Sequence, residues 1–171
     1  MALAPTNYEE TLREFLVSAL YARVGEPGSL SGEGRAQQFD VKKSLGGGDC
    51  STKATLTLNL PKGGTLEHAA DVLFQNGQGR RLAIDLKWAA SEPDPIKACA
   101  YDMLVLKQGM GSQLWVMMIY LRPGGGGVTA EEARELCFPY DHFFAIEHQD
   151  PQNPAAWVPI LDRIESEIES P

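Results

Sequence analysis

From Gln113 to Leu121 the chain runs Gln-Leu-Trp-Val-Met-Met-Ile-Tyr-Leu, an almost unbroken apolar stretch. It is too short to span a bilayer, which takes about 20 apolar residues. A run of this length bounded by turn residues predicts a strand covered on both faces. A strand covered on both faces needs a layer on each side, and the neighbouring segments offer helices. Before it, from Asp94-Pro95, the residues Ile96, Ala100, Met103, Leu104 and Lys107 recur at helical spacing, and Gly109 and Gly111 are expected to end that helix. After it, Gly124 to Gly127 reads as a loop, and Thr129-Ala-Glu-Glu is a capping box that opens a short helix to about Cys137. One α/β layer structure around a mixed sheet follows.

The rest of the chain fills in that plan. Tyr8, Leu12, Phe15, Leu16, Ala19 and Leu20 predict a helix over 6–24, capped by Thr6 or Asn7 and stopped at Gly25-Glu26-Pro27-Gly28. Residues 26–50 read as irregular apart from a short strand option at Gln38–Val41. From Thr52 the period changes to two, and Pro61–Gly64 and Asn76–Gly79 are turn signals. They divide three antiparallel strands, from Thr52 to Leu60, Thr65–Gln75 and Arg80–Trp88. Phe143–Glu147 reads as a fifth strand and Pro154 to Glu169 as an amphipathic helix carrying Trp157, Ile160, Leu161, Ile164 and Ile168. The expected order is α-β-β-β-α-β-α-β-α in a single domain over 1–171, with a core of about 6–121 and a C-terminal α/β extension over 122–171. A right-handed crossover makes the third and fourth strands parallel.

Charge narrows the partners less than the total of −8 suggests. Residues 1–128 carry 13 basic and 13 acidic side chains, whereas 129–171 carry 2 and 10, so the excess lies at the C-terminal end. A neutral body still permits a local basic groove, and Arg35, Lys42, Lys43, Lys53 and Lys62 are concentrated in one segment. Three scattered cysteines, Cys50, Cys99 and Cys137, suit neither a disulfide framework nor a zinc site. The expected compartment is the reducing cytoplasm. His68, His142 and His148 have no metal-ligand spacing, and each reads as a surface or internally satisfied histidine.

Two acids and a lysine interrupt the apolar strands, at Ala70-Asp71-Val72-Leu73-Phe74 and Ile84-Asp85-Leu86-Lys87-Trp88. Asp85 and Lys87, two apart, project from one face. Asp71 joins them only in the register that sets Asn76 opposite Arg80 around the three-residue loop Gly77-Gln78-Gly79. Two carboxylates at cross-strand distance would be relieved by a hard divalent cation, and a lysine beside it suits phosphodiester hydrolysis.

This order of elements, with an acid on the second strand and acid-x-Lys on the third, resembles the PD-(D/E)XK nuclease superfamily, the restriction-endonuclease-like fold. The likeness covers about residues 6–121 and departs from the signature at Ala70, where the superfamily has proline. It implies a magnesium-dependent (or manganese-dependent) DNA endonuclease with Asp71, Asp85 and Lys87 as catalytic residues and Asp71 and Asp85 as metal ligands. Glu9, three before Leu12 and seven before Leu16, matches the position of an additional acid from the first helix, and Glu67 shares a strand face with Asp71 as a further candidate ligand. Lys97 and Tyr101, one helical turn apart, would stand beside the metal and hold a phosphate. The expected partner is nucleic acid, DNA before RNA, with a homodimer or a partner protein as further options and no membrane. Because some members have lost catalysis, the alternative is an inactive nuclease-fold module that binds protein or nucleic acid.

Overall fold

The apolar run lies inside a three-layer α/β/α architecture. In this computed structural model the described residues are 11–19, 38–41, 48–75, 79–147 and 149–169. Among them, six strands form one mixed sheet in chain order: β1 (Gln38–Val41), β2 (Gly48–Asn59), β3 (Thr65–Gln75), β4 (Arg81–Trp88), β5 (Leu114–Leu121) and β6 (His142–Ile146). Strands β1 to β4 are antiparallel to their neighbours, and β4, β5 and β6 run parallel. The helices are α1 (residues 11–19), α2 (Asp94–Met110), α3 (Ala130–Leu136) and α4 (Pro154–Glu169), with a 3-10 turn at Gly111–Gln113. The outer parts of the expected first helix, with Glu9 and its caps, lie outside the described residues.

Layering follows from handedness. The crossovers β4-α2-β5 and β5-α3-β6 step in the same direction across the sheet, so right-handed connections place α2 and α3 on one face. There Ile96, Met103 and Leu106 of α2 and Ala133 of α3 pack on Ala83, Val116, Met118 and Tyr120. On the other face Leu12, Leu16 and Val17 of α1 and Trp157, Ile160 and Ile164 of α4 pack on Val72, Phe74, Ile84, Leu86, Met117 and Ile119. Strand β5 is therefore buried on both sides, as its composition requires. The segment after residue 121 is no appendage, because α4 closes one of the two cores.

Several boundaries differ from the sequence expectation. The sheet has one strand more before α2, β1 being the short option at Gln38–Val41. Strand β2 starts at Gly48, in a stretch read as irregular, because pairing of Asp49–Thr52 with Val72–Gln75 extends the ladder regardless of side-chain pattern. Strand β6 starts one residue early, at His142. Gly109 does not stop α2. A Cβ there would lie 2.4 Å from a Leu58 methyl, so this glycine admits β2 close to the helix, and Gly111 at φ 62° ends it. The capping box at Thr129 and Glu132 is complete, with the Thr129 side chain accepting from the Glu132 N–H and the Glu132 carboxylate accepting from the Thr129 N–H.

The relation between β3 and β4 positions the candidate site. Their ladder pairs Gln75 with Arg81, Phe74 with Leu82, Leu73 with Ala83 and Val72 with Ile84, which is the expected register. The ladder stops there, although β4 continues alongside β5 to Trp88. At the same point the alternation of β3 slips. Val72 and Phe74 face α1 and α4, whereas Ala70, also at an even position, lies in the core under α2. The two strands part at Asp71.

Candidate functional site

Asp71 stands at the parting of β3 and β4. Its Oδ2 accepts the backbone N–H of Leu86 at 2.8 Å, replacing a ladder bond that β3 no longer supplies. Its Oδ1 accepts from Arg13 of α1, with Nε and Nη2 both at 3.2 Å. The Asp71 carboxylate is thus engaged from the α1 side.

Asp85 is oriented to the α2 side and is only 5% exposed. Lys87, two residues on, shares that face, opposite Tyr120 of the core under α2. Two side chains from other parts of the chain donate to Asp85, and a third holds one of them. Tyr140, in the connection from α3 to β6, donates its hydroxyl to Asp85 Oδ2 at 2.5 Å. His68 of β3 places Nε2 3.0 Å from Oδ2 and 3.1 Å from Oδ1. The other ring nitrogen, Nδ1, lies 3.2 Å from Oδ2 of Asp102 on α2. Both acceptors are carboxylates, so both ring nitrogens donate and the imidazole is a cation. Burial alone lowers the His68 pKa, but the hydrogen bonds and charges of Asp85 and then Asp102 outweigh it and raise it to about 9. For Tyr140, burial first and then the Asp85 charge push the phenol upward, so it remains a donor.

Cys99 on α2 registers the whole group. Its thiol is pushed up to about 11, by burial first and then by Asp85, with Asp102 and Asp71 adding to the rise and Lys87 opposing it. Cys99 is a neutral thiol at physiological pH and supplies no thiolate.

The remaining sequence candidates separate. Glu67 is exposed and adjoins His68 in the strand, on the alternate face. Lys97 pairs with Asp94 of its own helix at 3.3 Å. With Tyr101, which is 64% exposed, it lines a cavity of about 260 Å³ against Glu135, Leu136 and Phe138 on the outer side of α2. Glu9 lies outside the described residues. His68 is buried and internally satisfied, which agrees with one of its two sequence readings, yet its contact with Asp85 could not be read. The signal was available only as an inward position in β3, three residues before Asp71. Tyr140 carried no sequence signal, because it joins the group through the fold of the α3–β6 connection.

The arrangement defines an α/β protein with a buried acid–histidine–tyrosine cluster beside a lysine and a second carboxylate at a strand opening. Neither a protein-family model nor a curated protein sequence matches the chain. Among the described residues no helix is long and apolar enough to cross a membrane.

Proposed function

We propose that this protein is a phosphodiester hydrolase of the restriction-endonuclease-like class that acts on DNA with a divalent cation at Asp71 and Asp85. The observation supporting this reading is that Asp71 stands where the β3–β4 ladder ends, while Asp85 and Lys87 lie two apart on the stretch of β4 that runs on beyond that point.

The donor chemistry suits magnesium or manganese. Both acids offer hard carboxylate oxygens, and Asp85 Oδ1 shares the His68 Nε2 donor with Oδ2, to which Tyr140 also donates. Among the described residues no group of three or more His, Cys, Asp or Glu side chains is arranged to hold a metal ion. A magnesium ion, which retains several waters, needs only one or two carboxylates. When bound it supplies charge withdrawal from a phosphate oxygen and a water of lowered pKa. Lys87 contributes a positive charge that stabilises the phosphate oxygens as negative charge builds on them. An ammonium has no lone pair, so Lys87 acts on the substrate and not as a ligand.

One observation favours a second reading, a nuclease-fold module that binds without cleaving. Arg13 already neutralises Asp71, and the His68 imidazolium already neutralises Asp85. A single experiment separates the two. Purified protein with magnesium is incubated with linear, supercoiled, single-stranded and branched DNA. The hydrolase reading expects nicking of at least one substrate, loss of nicking in Asp85→Asn, and loss of most nicking with retained metal in Lys87→Ala. Absence of both manganese binding and nicking in the wild type rejects it in favour of the second reading.

A further inference from the structure

We infer that two copies of this chain pair through the outer faces of α2 and α3, with Phe138 of each copy seated in the cavity of the other. The inference stands apart from the hydrolase reading and does not depend on it.

Four large apolar side chains are exposed among the described residues, Leu60, Tyr101, Phe138 and Val158. Exposed singly they would need no explanation, but Tyr101 and Phe138 border one cavity. Ala100 and Leu104 of α2 and Leu136 of α3 complete its apolar lining, and its volume is about 260 Å³. Pockets that enclose small molecules run from about 300 to 1,000 Å³, so this one is of a size for a single bulky side chain.

Phe138 is such a side chain. It is 72% exposed, in the turn after α3, and its neighbours Cys137, Pro139 and Tyr140 are all buried. Its backbone is therefore anchored, and the ring stands out as a preformed projection, which lowers the ordering cost of an interface. A two-fold interface uses one patch twice, so that patch must hold both a projection and a recess. This one holds both.

Charge selects a second copy over other occupants. Lys97 and Glu135 stand at the cavity with opposite signs. Lys97 has an exposed pair with Asp94 of its own helix at 3.3 Å, and among the described residues no side chain pairs with Glu135. A two-fold axis between them sets Lys97 of each copy against Glu135 of the other. A basic or an acidic peptide would match one of these charges and oppose the other. Because the two cancel, they add no repulsion of their own between copies of net charge −8. Two helix faces and a turn lie at the small end of specific interfaces, below about 1,200 Å² in total, so association in the micromolar range is expected.

The test is sedimentation velocity of the full chain at concentrations from about 1 μM to about 500 μM, which bracket that range. The wild type is expected to pass from monomer to dimer within it. Phe138→Ser, a change at an exposed position, should weaken the dimer by about 10-fold or more, as loss of an aromatic anchor does. Lys97→Glu and Glu135→Lys should each weaken it several-fold by setting like charges opposite one another, and the double variant should recover most of that loss. Circular dichroism checks that each variant is folded. A wild type that stays monomeric throughout overturns the inference and leaves the cavity to a different protein or a small apolar ligand. Undiminished association in Phe138→Ser, or a double reversal no tighter than the single ones, overturns it as well.

Discussion

The Asp71 carboxylate accepts the Leu86 N–H at 2.8 Å and occupies the place of a β3–β4 ladder bond. The same side chain holds Arg13, so it joins α1, β3 and β4 at the point where the strands part. A residue with two such duties should respond differently to two substitutions. Asp71→Ala leaves a backbone donor and a buried guanidinium without their acceptor and is expected to destabilise by about 3–5 kcal/mol. Asp71→Asn keeps an acceptor for Leu86 and should lose less, about 1–3 kcal/mol. Urea denaturation measures both, and equal losses would contradict the backbone role. Neither variant should nick DNA with magnesium.

Stability should fall as the solution becomes alkaline. The folded-state pKa of His68, raised to about 9, exceeds its unfolded value near 6.5. The native state therefore binds the extra proton between those values, and its stabilisation is complete below about pH 6.5 and lost as pH rises through 9. The full swing is on the order of 3 kcal/mol. Denaturant midpoints from pH 6 to 10 should fall in wild type, and His68→Leu should remove most of the slope. A flat wild-type profile would contradict a charged His68.

Divalent metal should raise the melting temperature. At 100-fold excess over its dissociation constant a ligand specific to the folded state adds about 2.7 kcal/mol. For a chain of this size that corresponds to about 5–10 °C. Differential scanning fluorimetry with magnesium or manganese should show the rise in wild type and none in Asp85→Asn. An identical rise in both would place the metal elsewhere.

Glu167 provides a control away from the candidate site. This α4 carboxylate accepts from Arg80 at 2.9 Å and His142 at 2.8 Å, and Arg80 lies over the Trp115 ring. It fastens α4 to the starting ends of β4, β5 and β6. Glu167→Ala is expected to destabilise by about 3–5 kcal/mol, with DNA nicking retained at temperatures where the variant is folded.

The acidic C-terminal segment cannot be removed to expose a hidden surface. Trp157 is fully buried against Phe15 and donates its indole N–H to the Pro151 carbonyl at 2.7 Å. Trp157→Ala alone should destabilise by about 3–5 kcal/mol. Truncation after Asp150 should unfold the chain, as circular dichroism would show.

Much of the architecture was legible because it rests on local periodicity. The change from period 3.6 to 2 and back marks α2, β3, β4 and β5. The three-residue spacing of Gly77-Gln78-Gly79 selects the β3–β4 register, and that register is present from Val72 to Gln75. The pairing of Asp85 with Lys87 on one face was likewise a matter of counting by two. Where the ladder would end was not legible, since parting of strands depends on what the departing backbone groups find instead, here the Asp71 carboxylate for Leu86 N–H. Strict alternation carried through position 71 would have set Asp71 and Asp85 side by side. The slip between Ala70 and Val72 instead engages Asp71 from α1 and leaves Asp85 with α2. The partners of Asp85 were equally hidden: His68 and Tyr140 lie 17 and 55 residues from it, and Asp102, which holds the other nitrogen of His68, lies 17 residues from it. A buried carboxylate must be compensated by donors, but any of several elements can bring them, and only the packing of α2 and the α3–β6 connection over the sheet decided which did.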